Sequence, residues 1–157
     1  MKKGFVILFM AIVFSSTMFF SCNNTTERTK EHYKIPEHVR EGVLQLREEI
    51  LQLNLTPDSL LTDEQLIFLV NMFSFLRTSI VLENNQFVIT STLEDFERAG
   101  FPIYHYYLLQ EDNAWNNKKV QCEEFGVSAE EFHSRFLKSI DVFFERNRER
   151  IARLMID

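Results

Sequence analysis

Apolar residues recur along most of this chain at alternating spacings of three and four, the period that places them on one face of an α-helix. The first such stripe follows Pro36, whose missing N–H costs nothing in the first turn of a helix. A polar break at residues 54–58 ends it. The pattern predicts a helix of about 18 residues whose buried face consists of Val39, Val43, Leu46, Ile50 and Leu53.

The second stretch begins at a capping box, in which Thr62 offers an oxygen to the first amides and Gln65 follows three residues later. From there to about Leu82 the sequence is apolar on two faces and polar in a narrow strip. A helix of this kind is buried by neighbours on two sides. We therefore expect the central helix of the fold, with faces formed by Leu66, Leu69, Val70, Phe73, Leu76 and Ile80 and by Phe68, Met72, Phe75 and Leu82.

The middle of the chain contains a β-like run at residues 87–90, preceded by a polar loop at residues 83–86. A single strand has no partner in this pattern, so the run predicts an extended connector. A short helix follows it. Thr92, with Asp95 three residues later, caps this helix, and Gly100 ends it.

Two further helices complete the predicted fold. One starts at residues 101–102 and becomes irregular before Gly126. The other starts at a second capping box at Ser128 and runs to about Met155. Its apolar face consists of Phe132, Phe136, Ile140, Phe143, Ile151 and Leu154. The predicted fold class is therefore all-α, a compact bundle of four main helices plus one short helix.

The amino end of the chain has the pattern of an export signal. Two lysines precede sixteen mostly apolar residues, and a small residue, Ser21, comes just before Cys22. The apolar run is shorter than the ~20 residues that a helix needs to cross a bilayer. A basic start, a short apolar run and a small residue are typical of a segment that is removed after export.

Residues 19–22, Phe-Phe-Ser-Cys, resemble the lipobox of bacterial lipoproteins, although Phe19 stands where that motif usually has leucine. The resemblance implies cleavage before Cys22 and acylation of Cys22 by chains such as palmitate, with the membrane as a partner. The chain then divides into a signal peptide (1–21), a flexible tether (22–35) and a helical domain (36–157). The resemblance implies a place in the cell envelope, and we expect the outer membrane. In some lipoproteins an acidic run after the cysteine directs export to the cell surface, and because no such run follows Cys22, the resemblance favours the face towards the periplasm.

The acidic balance of the chain excludes one class of partner. The formal charge is −6 at pH 7, and because residues 1–21 hold two lysines and no acidic residue, −8 remains on residues 22–157. Nucleic acids attract basic surfaces, so we expect no nucleic-acid partner. If Cys22 carries lipid, Cys122 has no disulfide partner, and we expect it to be a buried thiol.

The helix that starts near residue 101 carries the residues most typical of a small-molecule site. His105 and Asp112 lie on one side of it, beside Tyr104, Tyr107 and Trp115. A rise of 1.5 Å per residue separates His105 from Asp112 by about 10.5 Å, too far for a hydrogen bond. Aromatic walls with a few polar groups are typical of small-molecule sites, so these five residues predict an aromatic ligand pocket. The alternative is a core helix with one solvated edge.

Asn147 interrupts the apolar face of the last helix. A buried asparagine needs hydrogen-bond partners and often fixes the register of helices, whereas the functional alternative is that it faces a second protein. Arg146 and Arg150 lie close by in sequence, and the three residues form the predicted partner-binding site. The nearby glutamates leave a solvated mixed face as the alternative.

No set of residues indicates catalysis or a cofactor. Glu130 and His133 have the spacing of half a di-iron site, but none of the other histidines has a glutamate three residues before it. We therefore expect neither a metal nor a cofactor. The sequence favours a non-enzymatic accessory, adaptor or inhibitor that binds another envelope protein, and a small-ligand-binding lipoprotein is the alternative.

Overall fold

The computed structural model describes residues 33–121 and 126–155, so the predicted signal peptide, Cys22 and Cys122 lie outside the described residues. Within them, α-helices and a two-stranded sheet surround a core rich in aromatic side chains. The predicted all-α bundle of four main helices and one short helix is confirmed, with a small sheet added. The elements are α1 Glu37–Leu55, α2 Asp63–Ser79, β1 Ile80–Glu83, β2 Gln86–Ile89, α3 Leu93–Arg98, α4 Ile103–Gln121 and α5 Ala129–Leu154.

Helix α1 follows the predicted stripe closely. It begins after Pro36, and a 3₁₀ turn at Asp58–Leu60 leads from its end towards α2. Leu53, the last residue of the predicted stripe, is partly buried. The helix packs chiefly against α4. The residues that it buries are Val39, Val43, Leu46 and Ile50.

Helix α2 begins at the predicted capping box. The Thr62 hydroxyl accepts the Gln65 N–H at 3.2 Å, and the Gln65 side chain accepts the Thr62 N–H at 2.8 Å. The predicted end at Leu82 is wrong, because the helix stops at Ser79 and the chain becomes extended at Ile80. The helix contributes six buried apolar side chains to the core: Leu66, Leu69, Val70, Met72, Phe73 and Leu76.

The end of the predicted second helix is the first strand of an antiparallel hairpin. β1 pairs with β2 so that Ile80 faces Ile89 and Glu83 faces Gln86. A two-residue turn joins the strands, and Asn84 and Asn85 adopt positive φ angles of 50° and 60°. Such a turn matches the right-handed twist of paired strands, and asparagine tolerates its backbone conformation. The predicted extended connector is therefore a paired strand.

Side chains of the two long carboxyl-terminal helices occupy the outer edges of this hairpin. On β2, Asn117 accepts the Phe87 N–H at 2.7 Å and donates to the Phe87 carbonyl at 2.8 Å, and Asn113 donates to the same carbonyl at 2.9 Å. On β1, the carbonyl of Ile80 lies 3.2 Å from His133 Nε2. A carbonyl only accepts, so this nitrogen carries a proton. The hairpin is thus held between α4 and α5.

Aromatic contacts join α2 to the helices around it. Phe73 meets Phe143 of α5 edge-on with ring centroids 4.8 Å apart, and Phe75 meets Phe96 of α3 at 4.6 Å. The Thr92–Asp95 capping box starts α3 as predicted, and Gly100 follows it with a φ of 83°. Across the described ranges, we find no helix that combines the length and the apolarity required to cross a bilayer.

The contact between Asn117 and Phe87 predicts a measurable loss of stability. Asn117→Leu leaves the Phe87 N–H without its acceptor, and an unsatisfied buried amide costs about 1–3 kcal/mol. We expect the free energy of unfolding, from urea titration, to fall by about that amount. Gln121→Leu, an exposed position on the same helix, is the matched control. A loss of stability equal to that of the control would contradict the assignment.

Candidate functional site

Helix α4 buries a face that is mostly polar. Its buried residues are His105, Leu108, Leu109, Asp112 and Asn116. Three of these five are polar, and the aromatic residues Tyr104, Tyr107 and Trp115 are more exposed than they are. The polar residues of α4, which the alternative interpretation placed on a solvated edge, therefore lie on the inner side of the helix. Buried polar groups require partners. Asp112 has one in Arg47 of α1, and His105 has one in the carbonyl of Pro102.

Arg47 of α1 supplies the counter-charge. Its guanidinium pairs with the carboxylate of Glu111, and Nη1 lies 3.5 Å from Oδ1 of Asp112. The Asp112 side chain is 5 % exposed. Burial raises the pKa of Asp112 well above its ordinary value, Arg47 opposes this shift, and Glu111 adds to it. Within the described residues, the other oxygen of Asp112, Oδ2, has no hydrogen-bond partner.

Asp112 and Asn116 border a small cavity between α4, α5 and the hairpin. Its volume is about 30 Å³, enough for a water molecule and far below the size of a small-molecule site. Oδ1 of Asn116 also has no hydrogen-bond partner in the part of the chain that the structure describes. The cavity therefore has room for a water molecule. Its other lining residues are Ile80, Phe87, Leu109, Asn113, Phe132 and Phe136.

His105 lies at the other end of the polar face, beside a different opening. Its Nδ1 is 3.3 Å from the carbonyl of Pro102, so Nδ1 donates and Nε2 is an acceptor. The ring packs against Phe68 and Phe101, with centroids 5.7 and 5.5 Å away. Burial lowers the pKa of His105, which keeps the ring neutral at physiological pH. Nε2 is buried, and we find no hydrogen-bond partner for it among residues 33–121 and 126–155.

The opening beside His105 is a shallow groove between α2 and the segment that joins α3 to α4. It has a volume of about 530 Å³, within the range of small-molecule sites. Because Nε2 of His105 is itself covered, a molecule in the groove meets mainly the apolar walls. The walls and rim are formed by Glu64, Ile67, Phe68, Asn71, Ala99, Gly100, Phe101 and Pro102.

The three aromatic members of the predicted pocket lie on the neighbouring face of α4. The Tyr104 ring lies so close to Gly42 of α1 that a Cβ at that glycine would come within 2.4 Å of it. Tyr107 packs against Tyr33, with centroids 6.3 Å apart. The ammonium groups of two lysines, 118 and 119, lie 5.3 and 5.4 Å from the centre of the Trp115 ring. The five predicted ligand residues are therefore spread over separate surroundings instead of lining one pocket.

Tyr33 shows that the last residues of the predicted tether belong to the folded body. Burial raises the pKa of Tyr33 to about 12, and the neighbouring Tyr106 and Tyr107 contribute to the shift. Ile35 is partly buried against the main core. The packed part of the chain therefore begins before the predicted domain boundary at residue 36.

The predicted partner residues on α5 are mostly engaged within the chain. Asn147 is 6 % exposed and donates to the carbonyl of Phe143 at 3.0 Å on its own helix. Arg150 pairs with Asp63 and donates to the carbonyl of Leu61 at 2.6 Å. The two contacts of Arg150 tie α5 to the start of α2. Of the three predicted residues, Arg146 is exposed.

His133 and Glu130, the half of a metal site noted in the sequence, lie near the hairpin. The bond to the Ile80 carbonyl occupies Nε2 of His133, and Glu130 is exposed in the first turn of α5. In the described ranges, no three histidine, cysteine, aspartate or glutamate side chains are grouped so that they could hold a metal ion.

A row of exposed leucines on α1 is the surface feature that the sequence analysis missed. Leu44 is 60 % exposed, Leu51 41 % and Leu55 64 %. With Glu48 they follow spacings of four, three and four, which is the contact line of a coiled-coil helix. We call these four residues the leucine seam. The spacing of these leucines is visible in the sequence. The stripe that begins at Val39 has the same helical period, however, and the sequence alone does not show which of the two stripes is buried.

The buried carboxyl of Asp112 predicts a pH-dependent difference in stability. Its pKa is higher in the folded than in the unfolded chain, so folding is penalised as pH rises above the ordinary value of 3.8. Asp112→Asn removes this penalty. We expect the unfolding free energy of the variant, relative to the wild type, to be higher at pH 8 than at pH 4 in urea titrations. Glu145→Gln, an exposed control, should show no such trend, and an equal difference at both pH values would contradict the assignment.

Comparisons of the chain with family models, with curated proteins and with solved structures give no match. We therefore infer a function from the residues and contacts described above.

Proposed function

We propose that this protein is an exported lipoprotein of the bacterial cell envelope, anchored by lipid at Cys22, whose helical body binds another protein through the leucine seam. The role is that of a non-enzymatic accessory, adaptor or inhibitor. The observation that carries the proposal is the exposure of three leucines in one line on α1. The amino-terminal pattern described above supports the anchor.

The seam has the form of a protein-binding surface. Single exposed apolar residues are ordinary, whereas several exposed leucines on one side of a helix favour a contact surface. The opposite side of α1 is already buried, because Val43 and Ile50 pack into the core. Covering the seam would therefore place α1 between its own bundle and a second helix, as in a coiled coil or a helix-in-groove complex.

Several polar side chains of α4 are engaged within the fold, which favours a protein-binding role over catalysis. Its carboxyl group at Asp112 is turned inward to Arg47, and the adjoining cavity has room for water only. The amides of Asn113 and Asn117 hold the hairpin. These polar groups therefore serve to join α1, α4 and the sheet.

The segment between Cys22 and the folded body is short enough to keep the body near the membrane surface. Eleven residue steps separate Cys22 from Tyr33, which allows at most about 40 Å when fully extended. The seam can therefore meet a partner within or close to the membrane surface. Two or more acyl chains, at ~0.8 kcal/mol for each buried CH₂, would hold the protein there almost permanently.

A small-ligand-binding lipoprotein is the second candidate function. The groove beside His105, with a volume of about 530 Å³ and walls that include Phe68 and Phe101, favours it. Native mass spectrometry of the protein released from its own membranes distinguishes the two. A small molecule that co-purifies, and that is lost in Phe101→Ala, would support the groove.

Removal of the acylated residue tests the anchor. We expect Cys22→Ala to lose the fatty-acid label, because the thiol that carries the lipid is removed. The variant then either leaves the membrane pellet or stays there as the uncleaved precursor. Fractionation after a carbonate wash, followed by metabolic labelling with an alkynyl fatty acid, measures the change. Cys122→Ala is the matched control and should stay membrane-bound and labelled. Equal fatty-acid labelling of the wild type and Cys22→Ala would rule out the anchor.

Photo-cross-linking in living cells tests the seam. A photoreactive amino acid at position 44, with the protein at native abundance, should capture one dominant partner, and the capture should fall at least about tenfold in Leu51→Asp. The same probe at position 146, also exposed, samples the α5 surface predicted from the sequence. Capture of that partner from position 146 but not from position 44 would contradict the proposal.

A further inference from the structure

We infer that the partner segment which binds the leucine seam is an amphipathic helix with an arginine or lysine opposite Glu48. The inference rests on the proposed function, and it adds the chemistry of the partner. It follows from the place of one carboxylate within a row of apolar side chains.

Glu48 lies on the contact line itself. It stands four residues after Leu44 and three before Leu51, so on a helix all three point to the same side. A partner that covers the two leucines must also cover the carboxylate. The seam is therefore apolar at both ends and anionic near its middle.

Among residues 33–121 and 126–155, the structure places no cation beside this carboxylate. Within the described residues, Glu48 accepts a hydrogen bond from Gln52 at 3.0 Å and forms no ion pair. The two arginines that flank the seam are engaged elsewhere: Arg40 pairs with Glu37, and Arg47 pairs with α4. Of the four residues of the leucine seam, Glu48 therefore carries a charge that the described part of the chain does not match.

The loss of hydration at the Glu48 carboxylate makes this position selective for the charge of the partner residue opposite it. A carboxylate that is covered by apolar side chains loses its hydration, and this cost is offset only by an opposite charge in good geometry. A polar residue on a coiled-coil contact line fixes the register and the choice of partner in the same way. A guanidinium or ammonium opposite Glu48 is therefore favoured over an apolar or acidic residue.

A second copy of this chain fits the seam poorly. In an antiparallel pair centred on the seam, Glu48 of each copy faces Leu51 of the other, and in a parallel pair the two Glu48 side chains face each other. Either arrangement buries carboxylates without a cation. Glu41 and the net charge of −8 on residues 22–157 add repulsion between copies.

The length of the seam sets the size of the partner helix. The eleven residue steps from Leu44 to Leu55 correspond to about 16 Å of helix, or three turns. A peptide of about 18 residues covers this length with one further turn at each end. Such a peptide is long enough to serve as a probe without knowledge of the natural partner.

The test compares two synthetic peptides of about 18 residues, each designed as an amphipathic helix rich in leucine. They differ only at one central position, where one peptide has arginine and the other has glutamate. Binding to the full protein in lipid nanodiscs is measured by fluorescence anisotropy. We expect the wild type to prefer the arginine peptide by roughly tenfold or more, and Glu48→Arg to reverse the preference. Glu49→Arg changes the charge equally on the next residue, about 100° around the helix, and should leave the preference unchanged.

The outcomes separate the partner chemistry from the seam itself. Equal binding of both peptides to the wild type, lost in Leu51→Asp, overturns the charge inference and leaves the seam as a binding surface. If neither peptide binds while the probe at position 44 still captures a partner in cells, the charge inference is also overturned. If the probe at position 44 captures no partner in cells, the proposed function itself is overturned. Quenching of a dye at position 51 by nitroxide-labelled lipids would assign the seam to the bilayer and contradict the partner.

Discussion

The contact of Arg47 with the two acidic residues of α4 is the interaction on which the rest of the structure depends. At 100° per residue, Arg47 lies on α1 between the buried stripe and the leucine seam. Its pairing with Glu111 and Asp112 therefore fixes the rotation of α1 against α4. The close fit of Tyr104 on Gly42 supports the same rotation. As a result, Val43, Leu46 and Ile50 of α1 face the core, and the three leucines of the leucine seam remain outside.

This arrangement carries a cost in stability, because the carboxyl of Asp112 is buried with one unpaired oxygen in the described structure. An apolar residue at the same place would give a more stable contact in many proteins. We interpret the buried pair as a device that selects one orientation of α1, the role best attested for buried polar groups. The asparagines at 113 and 117 act similarly, since they fix the hairpin through the backbone groups of Phe87. The inner face of α4 thus organises both of its neighbours.

The sequence predicts those features that depend on local chemistry. The capping boxes at Thr62 and Thr92 and the stripe from Val39 to Ile50 lie where the pattern places them. The hairpin was missed because Ile80 to Leu82 continue the apolar period of α2, and local pattern cannot separate a strand from a helix there. The burial of Asp112 was missed because its counter-charge is 65 residues away in sequence. The seam was missed because α1 is apolar on two sides, and packing decides which side is covered.

The central claim is that the leucine seam is open in the isolated protein and covered in the cell. The most direct measurement is the rate of maleimide labelling of single cysteines introduced at positions 51 and 49, quantified by mass spectrometry of the modified peptides. Position 51 lies on the seam and position 49 faces away from it. We expect both to react when the protein is purified, and position 51 to be protected in intact cells. Equal labelling of the two positions in cells would contradict the account.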